Sequence, residues 1–181
     1  IEKIKAEKIE SVAICFLHSF INPAHEELVG RVVKESLPDC FVSLSTNILP
    51  QKREYERTST TVINAYVGPP VRDYLGEMIQ QLTTKGITER LMVMQSSGGI
   101  LDAESCLEKP AHIVECGPAA GVVGAEYIAR AAGFKNVLTL DMGGTTAKAS
   151  IIEGGSFSLA DEYEVGGGMS SSSALVGKGG Y

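Results

Sequence analysis

The chain has 181 residues, 22 acidic and 16 basic, and its net charge of −6 comes without any basic stripe, which argues against a nucleic-acid binder. At 44% hydrophobic it can build a core for one domain or parts of two. No apolar run reaches the roughly 18 residues of a membrane span. The opening IEKIKAEKIE is charged and has no signal-peptide core, so no membrane partner and a cytoplasmic location are expected. Cys15, Cys40, Cys106 and Cys116 match neither CxxC nor zinc spacing, and three lie in or beside apolar runs. They read as small core residues in a reducing compartment. His18, His25 and His112 are scattered, and on a strand Cys15 and His18 would point to opposite faces. A start on Ile1 inside an expected helix, and the glycine-rich end SSSALVGKGGY, read as the ends of an internal piece of something longer.

In chain order, residues 1–9 read as the last turns of a helix, and SVAICFLHSF (11–20) as a strand covered on both faces. Asn22-Pro23 caps a helix with Leu28, Val29, Val32, Val33 and Leu37 on one face, and Pro38-Asp39 stops it. CFVSLS (40–45) is a second strand. A helix over 52–67 packs through Tyr55, Val62, Ile63 and Tyr66, although Thr58 to Thr61 weaken its propensity. Gly68-Pro69-Pro70 breaks it, and Val71 to Leu82 starts another helix. RLMVMQ (90–95) reads as a buried strand followed by the turn SSGG, and 103–108 as a short helix. PAAGVVGAEYIARAAG (118–133) is a helix with a flat face of Gly121, Gly124 and Ala125, closed by Gly133. VLTLDMGGTTAKASII (137–152) reads strand, tight turn, strand, and so short a turn makes the two strands antiparallel neighbours. The alternation elsewhere argues for α/β layers around a parallel sheet.

The hairpin carries the chemistry. Gly143 and Gly144 have no Cβ, so the backbone can approach a ligand and turn its N–H groups into one concavity, an anion nest. The hydroxyls of Thr145 and Thr146 add donors, and Asp141, at the end of a buried strand, is costly unless a cation such as Mg²⁺ offsets it. The plainer reading is a hairpin in which Asp141 caps its own turn. Lys148 reaches a phosphate or faces water. Gln95, Ser96, Ser97, Gly98 and Gly99 stand where a parallel strand ends, an edge where ligands gather, or form a simple turn. Arg53, Glu54, Glu56 and Arg57 line a cleft or form a solvated helix face. Asn64 reads as a buried hydrogen-bonding residue.

The order of HIVECGPAAGVVGAEYIARAAGFKNVLTLDMGGTTAKASIIEGG resembles the connecting helix and second phosphate loop of the actin-like ATPase superfamily. More closely, REYERTSTTVINAYV (53–67), MQSSGG (94–99), ECGPAAG (115–121), DMGGTTAKASII (141–152) and EYEVGGG (162–168) resemble the A-type subunit of the hydantoinase/oxoprolinase family. The resemblance implies an α/β, actin-like (ribonuclease H-like) fragment. Residues 1–136 would close a first lobe, with a helical insertion over about 50–86, and 137–181 would open the second. It implies ATP and Mg²⁺ as cofactors, with Asp141 as the catalytic and metal-positioning residue, acting through water. Gly143, Gly144, Thr145, Thr146 and Gly117 would bind the cofactor. Gly117, like Gly121, has close helix packing as its other reading. Gln95, Ser97, Gly98, Gly99 and Glu115 would be weaker contacts to substrate or nucleotide. In actin-like chaperones an acidic residue directly precedes the helix proline. Here Gly117 stands there, and Glu115 lies two residues further back. The implied function is ATP-dependent opening of a cyclic amide, a hydantoin or 5-oxoproline, with a B-type subunit or domain as partner. The alternatives are a nucleotide-binding switch module and a subunit of an ATP-dependent ketone carboxylase.

Overall fold

The computed structural model describes residues 1–144 and 147–158. They belong to two compact units, Ile1–Leu91 with Ala103–Ala111, and Met92–Asp102 with His112–Tyr181. No helix among the described residues is long and apolar enough to cross a membrane.

The first unit begins with helix α1 (Glu2–Ala6), strand β1 (Ser11–Ile14), helix α2 (Ala24–Ser36) and strand β2 (Phe41–Leu44). The strands pair in parallel from Ser11↔Phe41 to Ile14↔Leu44, with α2 as the crossover. Asn22 Oδ1 accepts the Ala24 N–H at 3.2 Å, the expected cap. The strand expected to run to residue 20 ends at Ile14. Beyond it the Phe16 N–H and the Ser19 hydroxyl donate to Glu26 Oε1, each at 2.7 Å, and His18 takes a left-handed φ of 57°. A carboxylate claims the donor that would have continued the ladder.

The expected apolar face of α2 is corrected as well. Val33 is buried as expected, but Leu28 and Val32 are exposed, and the other buried positions are Glu26 and Gly30. Gly30 sits against Leu44, where a Cβ would come within 2.9 Å of its Cδ2. Glu26 is fully buried and accepts further bonds from Ser45 Oγ at 2.7 Å and the Thr46 N–H at 3.1 Å.

After helix α3 (Ser45–Ile48), helix α4 runs unbroken over Glu54–Thr84, with Pro69 and Pro70 inside it. The expected break at 68–70 is absent. Each proline forgoes one helical hydrogen bond, but packing holds the axis. Gly68 lies so close to Phe41 that a Cβ would stand 2.3 Å from its ring, and Leu75 is buried one stretch further on. The expected packing residues Tyr55, Val62 and Tyr66 are exposed. The face turned inward is largely polar: Glu56, Arg57, Thr60, Thr61 and Asn64 precede Ala65 and Gly68. Thr60 and Thr61 donate to the carbonyls of Glu56 and Arg57, four residues back, at 2.8 and 2.6 Å. Asn64 is buried as expected. Its Nδ2 donates to Ser43 Oγ at 2.9 Å and to the Glu108 carbonyl at 3.4 Å, and its Oδ1 accepts the Ala111 N–H at 3.0 Å. Helix α5 (Ala103–Glu108) falls where expected and packs on α4, with Cys106 fully buried. Cys15, Cys40 and Cys116 are only half-buried, and no disulfide joins any of the four.

In the second unit, strands β3 (Met92–Met94) and β4 (Ile100–Asp102) form an antiparallel hairpin, so the SSGG turn does not follow a parallel strand as expected. Met92 is exposed, so β3 is not the buried strand the sequence suggests. Helix α6 (Cys116–Ala131) precedes strands β5 (Val137–Met142), β6 (Ala147–Glu153) and β7 (Ser156–Phe157), which form one antiparallel sheet. Ala119, Val122 and Ala129 of α6 and Ile152 of β6 are its buried apolar residues. Gly133, at φ +82°, ends the helix segment as expected. Parallel pairing among the described strands is confined to β1 and β2, which narrows the expected parallel sheet to one pair.

Two consequences are measurable by denaturant unfolding of the protein. Gly68→Ala forces a methyl into the Phe41 ring and is expected to cost about 1–3 kcal/mol; unchanged stability would show that α4 shifts freely. Glu26 is pushed up by burial, but the donors Ser19, Ser45, Phe16 N–H and Thr46 N–H outweigh this and hold its pKa below the ordinary 4.5. A depressed carboxylate contributes stability that is complete above its unfolded pKa and is lost as pH falls through the folded one. Stability should therefore drop on the acid side of pH 4.5, and Glu26→Gln should flatten that drop.

Candidate functional site

The site grows from the β5–β6 hairpin. Its register sets Asp141 opposite Lys148 and Met142 opposite Ala147, so the loop begins with Gly143 and Gly144. Directly paired residues of an antiparallel ladder project from the same face, which sets the Asp141 and Lys148 side chains on one face of the hairpin. Asp141 is exposed rather than buried. The expected burial cost is therefore absent, and water solvates the carboxylate. Nothing stands within 4 Å of a Cβ built on Gly144, which leaves its backbone open to an approaching group. Thr145 and Thr146 lie outside the described residues.

Helix α6 forms the other wall. Its residues Pro118, Gly121, Val122 and Ala125 face Val137 to Asp141 of β5 and Lys148 and Ser150 of β6 across a groove of about 510 Å³. The expected flat face is partly filled by this arrangement: Gly121 and Ala125 line the groove, while Gly124 is exposed outside it. Gly117, in the first turn of α6, is exposed with open space beyond its Cα. Glu115 directly precedes α6 in a left-handed conformation, φ 60° and ψ 23°. Its Oε2 is ion-paired with Lys148 Nζ. The structure thus joins a weak candidate of the sequence reading to a lysine that had two readings, and the spacing of 33 residues carried no signal of the pair.

Gln95, Ser97, Gly98 and Gly99 come together in the β3–β4 turn. The Gln95 N–H donates to the Gly99 carbonyl at 2.8 Å, the Gly98 N–H to the Gln95 carbonyl at 3.0 Å, and Ser97 Oγ to Gln95 Oε1 at 3.1 Å. Gly98 has φ +79°, and a Cβ there would come 3.1 Å from Val123 of α6, so both conformation and space demand glycine. Ser96, buried, anchors the turn: its N–H and Oγ both donate to the His112 carbonyl at 2.9 Å, and Oγ also reaches the Val114 carbonyl. The turn is thereby tied to the segment that presents Glu115.

Arg57 is the functional candidate whose environment differs most from a solvated face. It is fully buried in the first unit, with Nη2 donating to the Phe16 carbonyl at 2.5 Å and the guanidinium 5.4 Å from the centre of the Phe20 ring. Glu56 is buried beside it, while Arg53 remains exposed.

Among the described residues no group of three or more His, Cys, Asp or Glu side chains converges on a cation. The donor set at the hairpin is one exposed carboxylate, which suits a cation that keeps most of its own water, as Mg²⁺ does.

The fold matches two solved structures. A nucleotide-free acetone carboxylase covers 91% of this chain with a TM-score of 0.80 and 27% identity, the match taking in 23% of that protein. An ATP-dependent caprolactamase from Pseudomonas jessenii covers 83% with a TM-score of 0.72 and 33% identity, over 22% of its own chain. The chain is thus a segment of an α/β, actin-like ATPase fold. It belongs to the hydantoinase/oxoprolinase family, whose model matches residues 57–178 and whose N-terminal-region model matches residues 1–37. An uncharacterized protein of Methanocaldococcus jannaschii is 44% identical over 98% of this chain, and the alpha subunit of the P. jessenii caprolactamase is 34% identical over 86%. The chain spans 26% and 22% of the length of those two relatives. The acetone carboxylase beta subunit of Xanthobacter autotrophicus is 29% identical over 88% of the chain, so relatives include named subunits of multi-subunit enzymes.

Proposed function

We propose that this chain carries the second phosphate-binding loop of an ATP-dependent enzyme that opens a cyclic amide such as a hydantoin or 5-oxoproline. The observation that supports the reading most is the groove in which Asp141 and Lys148, the paired residues just before and after the glycine loop, lie across from the small-residue face of α6. In this reading residues 1–136 close one lobe and 137–181 open the next. Asp141 holds Mg²⁺ through water, and the 143–146 backbone and hydroxyls receive phosphate oxygens. Gly117 leaves room at the start of α6 for the nucleotide to pass. Bound Mg-ATP would supply a phosphoryl group to activate the amide oxygen. What the chain itself contributes is positioning and charge, the larger part of catalysis in phosphoryl transfer.

The cyclic-amide substrate follows the family and the caprolactamase relative. The acetone carboxylase relative supports a second reading, a ketone carboxylase subunit, and a nucleotide-driven switch module is a third. A B-type subunit or domain is the proposed partner, and the proposed location is the cytoplasm.

ADP release by the intact protein with its partner separates these readings, measured with Mg-ATP and 5-oxoproline, hydantoin, N-methylhydantoin, or acetone with bicarbonate. Stimulation by one amide is the expected result. Stimulation by acetone alone selects the carboxylase, and tight ATP binding without stimulation selects the switch. Asp141→Asn should lower turnover about a hundredfold or more while the fold survives; unchanged turnover would remove Asp141 from its role. Because the chain spans about a quarter of its relatives, the 181 residues alone are expected to hydrolyse no ATP, checked by the same ADP assay.

A further inference from the structure

We infer that Lys148 is a phosphate-contacting residue of this groove and that Glu115 is its latch, occupying the ammonium until a phosphate displaces it. The inference rests on the reading of the groove as a nucleotide site. Two charged side chains, Asp141 and Lys148, line the groove, and Glu115 is ion-paired with Lys148, which leaves two negative groups to one positive. Lys148 is the only cation among the described residues lining the groove. With Lys148 neutralised by Glu115, the local balance repels a polyphosphate. With Lys148 released, a compact cation stands beside the carboxylate that would hold the metal.

The geometry suits such an exchange. The side chains of Lys148 and Glu115 are 22% and 35% exposed, so the pair is partly desolvated yet reachable from solvent. Glu115 is held in a left-handed backbone conformation that a non-glycine residue keeps only where its surroundings impose it. The Ser96 bonds to the carbonyls of His112 and Val114 fix the segment just before it. A lysine ammonium has three donors on a flexible stem. It can turn toward a phosphate bearing more charge than a carboxylate without moving the backbone of β6.

The test is calorimetric binding of ADP with Mg²⁺ to the intact protein, with no turnover involved. Lys148→Met should weaken binding about tenfold or more, the usual scale of a charge-assisted hydrogen bond, and Lys148→Arg should keep most of it. Glu115→Gln should tighten binding severalfold in the parent and leave it unchanged in the Lys148→Met background, because the glutamate acts through the lysine. Thermal melts confirm that each variant is folded. Unchanged binding in a folded Lys148→Met protein overturns the inference. Equal tightening by Glu115→Gln in both backgrounds also overturns it, since Glu115 would then act by simple repulsion. Weakening by Glu115→Gln overturns it as well, since Glu115 would then be a strut that holds Lys148 in place rather than a latch. Failure of the parent to bind ADP defeats the nucleotide reading itself, a different result from any of these.

Discussion

One buried carboxylate organises the first unit. Glu26 projects from α2 into the space beyond the carboxyl ends of β1 and β2 and receives four donors there, from Phe16, Ser19, Ser45 and Thr46. A charge removed from water is tolerated only when hydrogen bonds replace its hydration. These four do so, and each also fixes a chain segment. The Phe16 bond ends β1, the Ser45 and Thr46 bonds start the turn of α3, and the Ser19 bond folds the loop back toward α2. The parallel pair and its crossover are therefore closed at one end by electrostatics rather than by apolar packing.

The same logic continues along α4. Its inward face is polar too, and Arg57 ties it to the same edge. Arg57 reaches the carbonyl of Phe16, whose N–H is committed to Glu26, so one residue is held through both of its backbone polar groups. Asn64 then joins β2 to the segment after α5 through Ser43 and Ala111. From Ala65 through Gly68 to Leu75 the helix changes to apolar contact, and there two successive prolines are tolerated. Packing compensates for the two missing N–H groups, while the donors upstream hold the register.

This explains which parts of the fold could be read beforehand. Much of the element order was legible, though not α3, β4 or β7: the hairpin 137–152, the short helix over 103–108, the Gly133 stop and the buried Asn64 follow from local pattern and turn chemistry. The buried faces of α2 and α4 were not. Apolar periodicity selected Leu28, Val32, Tyr55 and Tyr66, all exposed, because it cannot register a glutamate whose donors lie 7 to 20 residues away. The break expected at Pro69-Pro70 failed for a related reason: helix propensity knows nothing of Phe41. At the site, the Asp141 carboxylate and glycine loop were visible as a motif. The Lys148–Glu115 pair was invisible, since it depends on how α6 and β6 pack within the second unit.

The two units manage charge in opposite ways, and the contrast bears on function. In the first, Glu26 has four donors and is fully buried, an arrangement closed to solvent. In the second, Asp141 is exposed, no described residue crowds the Cβ position of Gly144, and Lys148 holds a carboxylate that solvent can reach. A group that must exchange partners has to remain partly hydrated, because a fully desolvated ion pair can be broken only at a cost of several kcal/mol. Partial exposure of the Glu115–Lys148 pair is thus what a replaceable contact requires, while the polar core beneath α4 has the burial of a permanent one. The chain keeps its costly, rigid electrostatics where the fold needs anchoring and leaves its labile charges around the open groove.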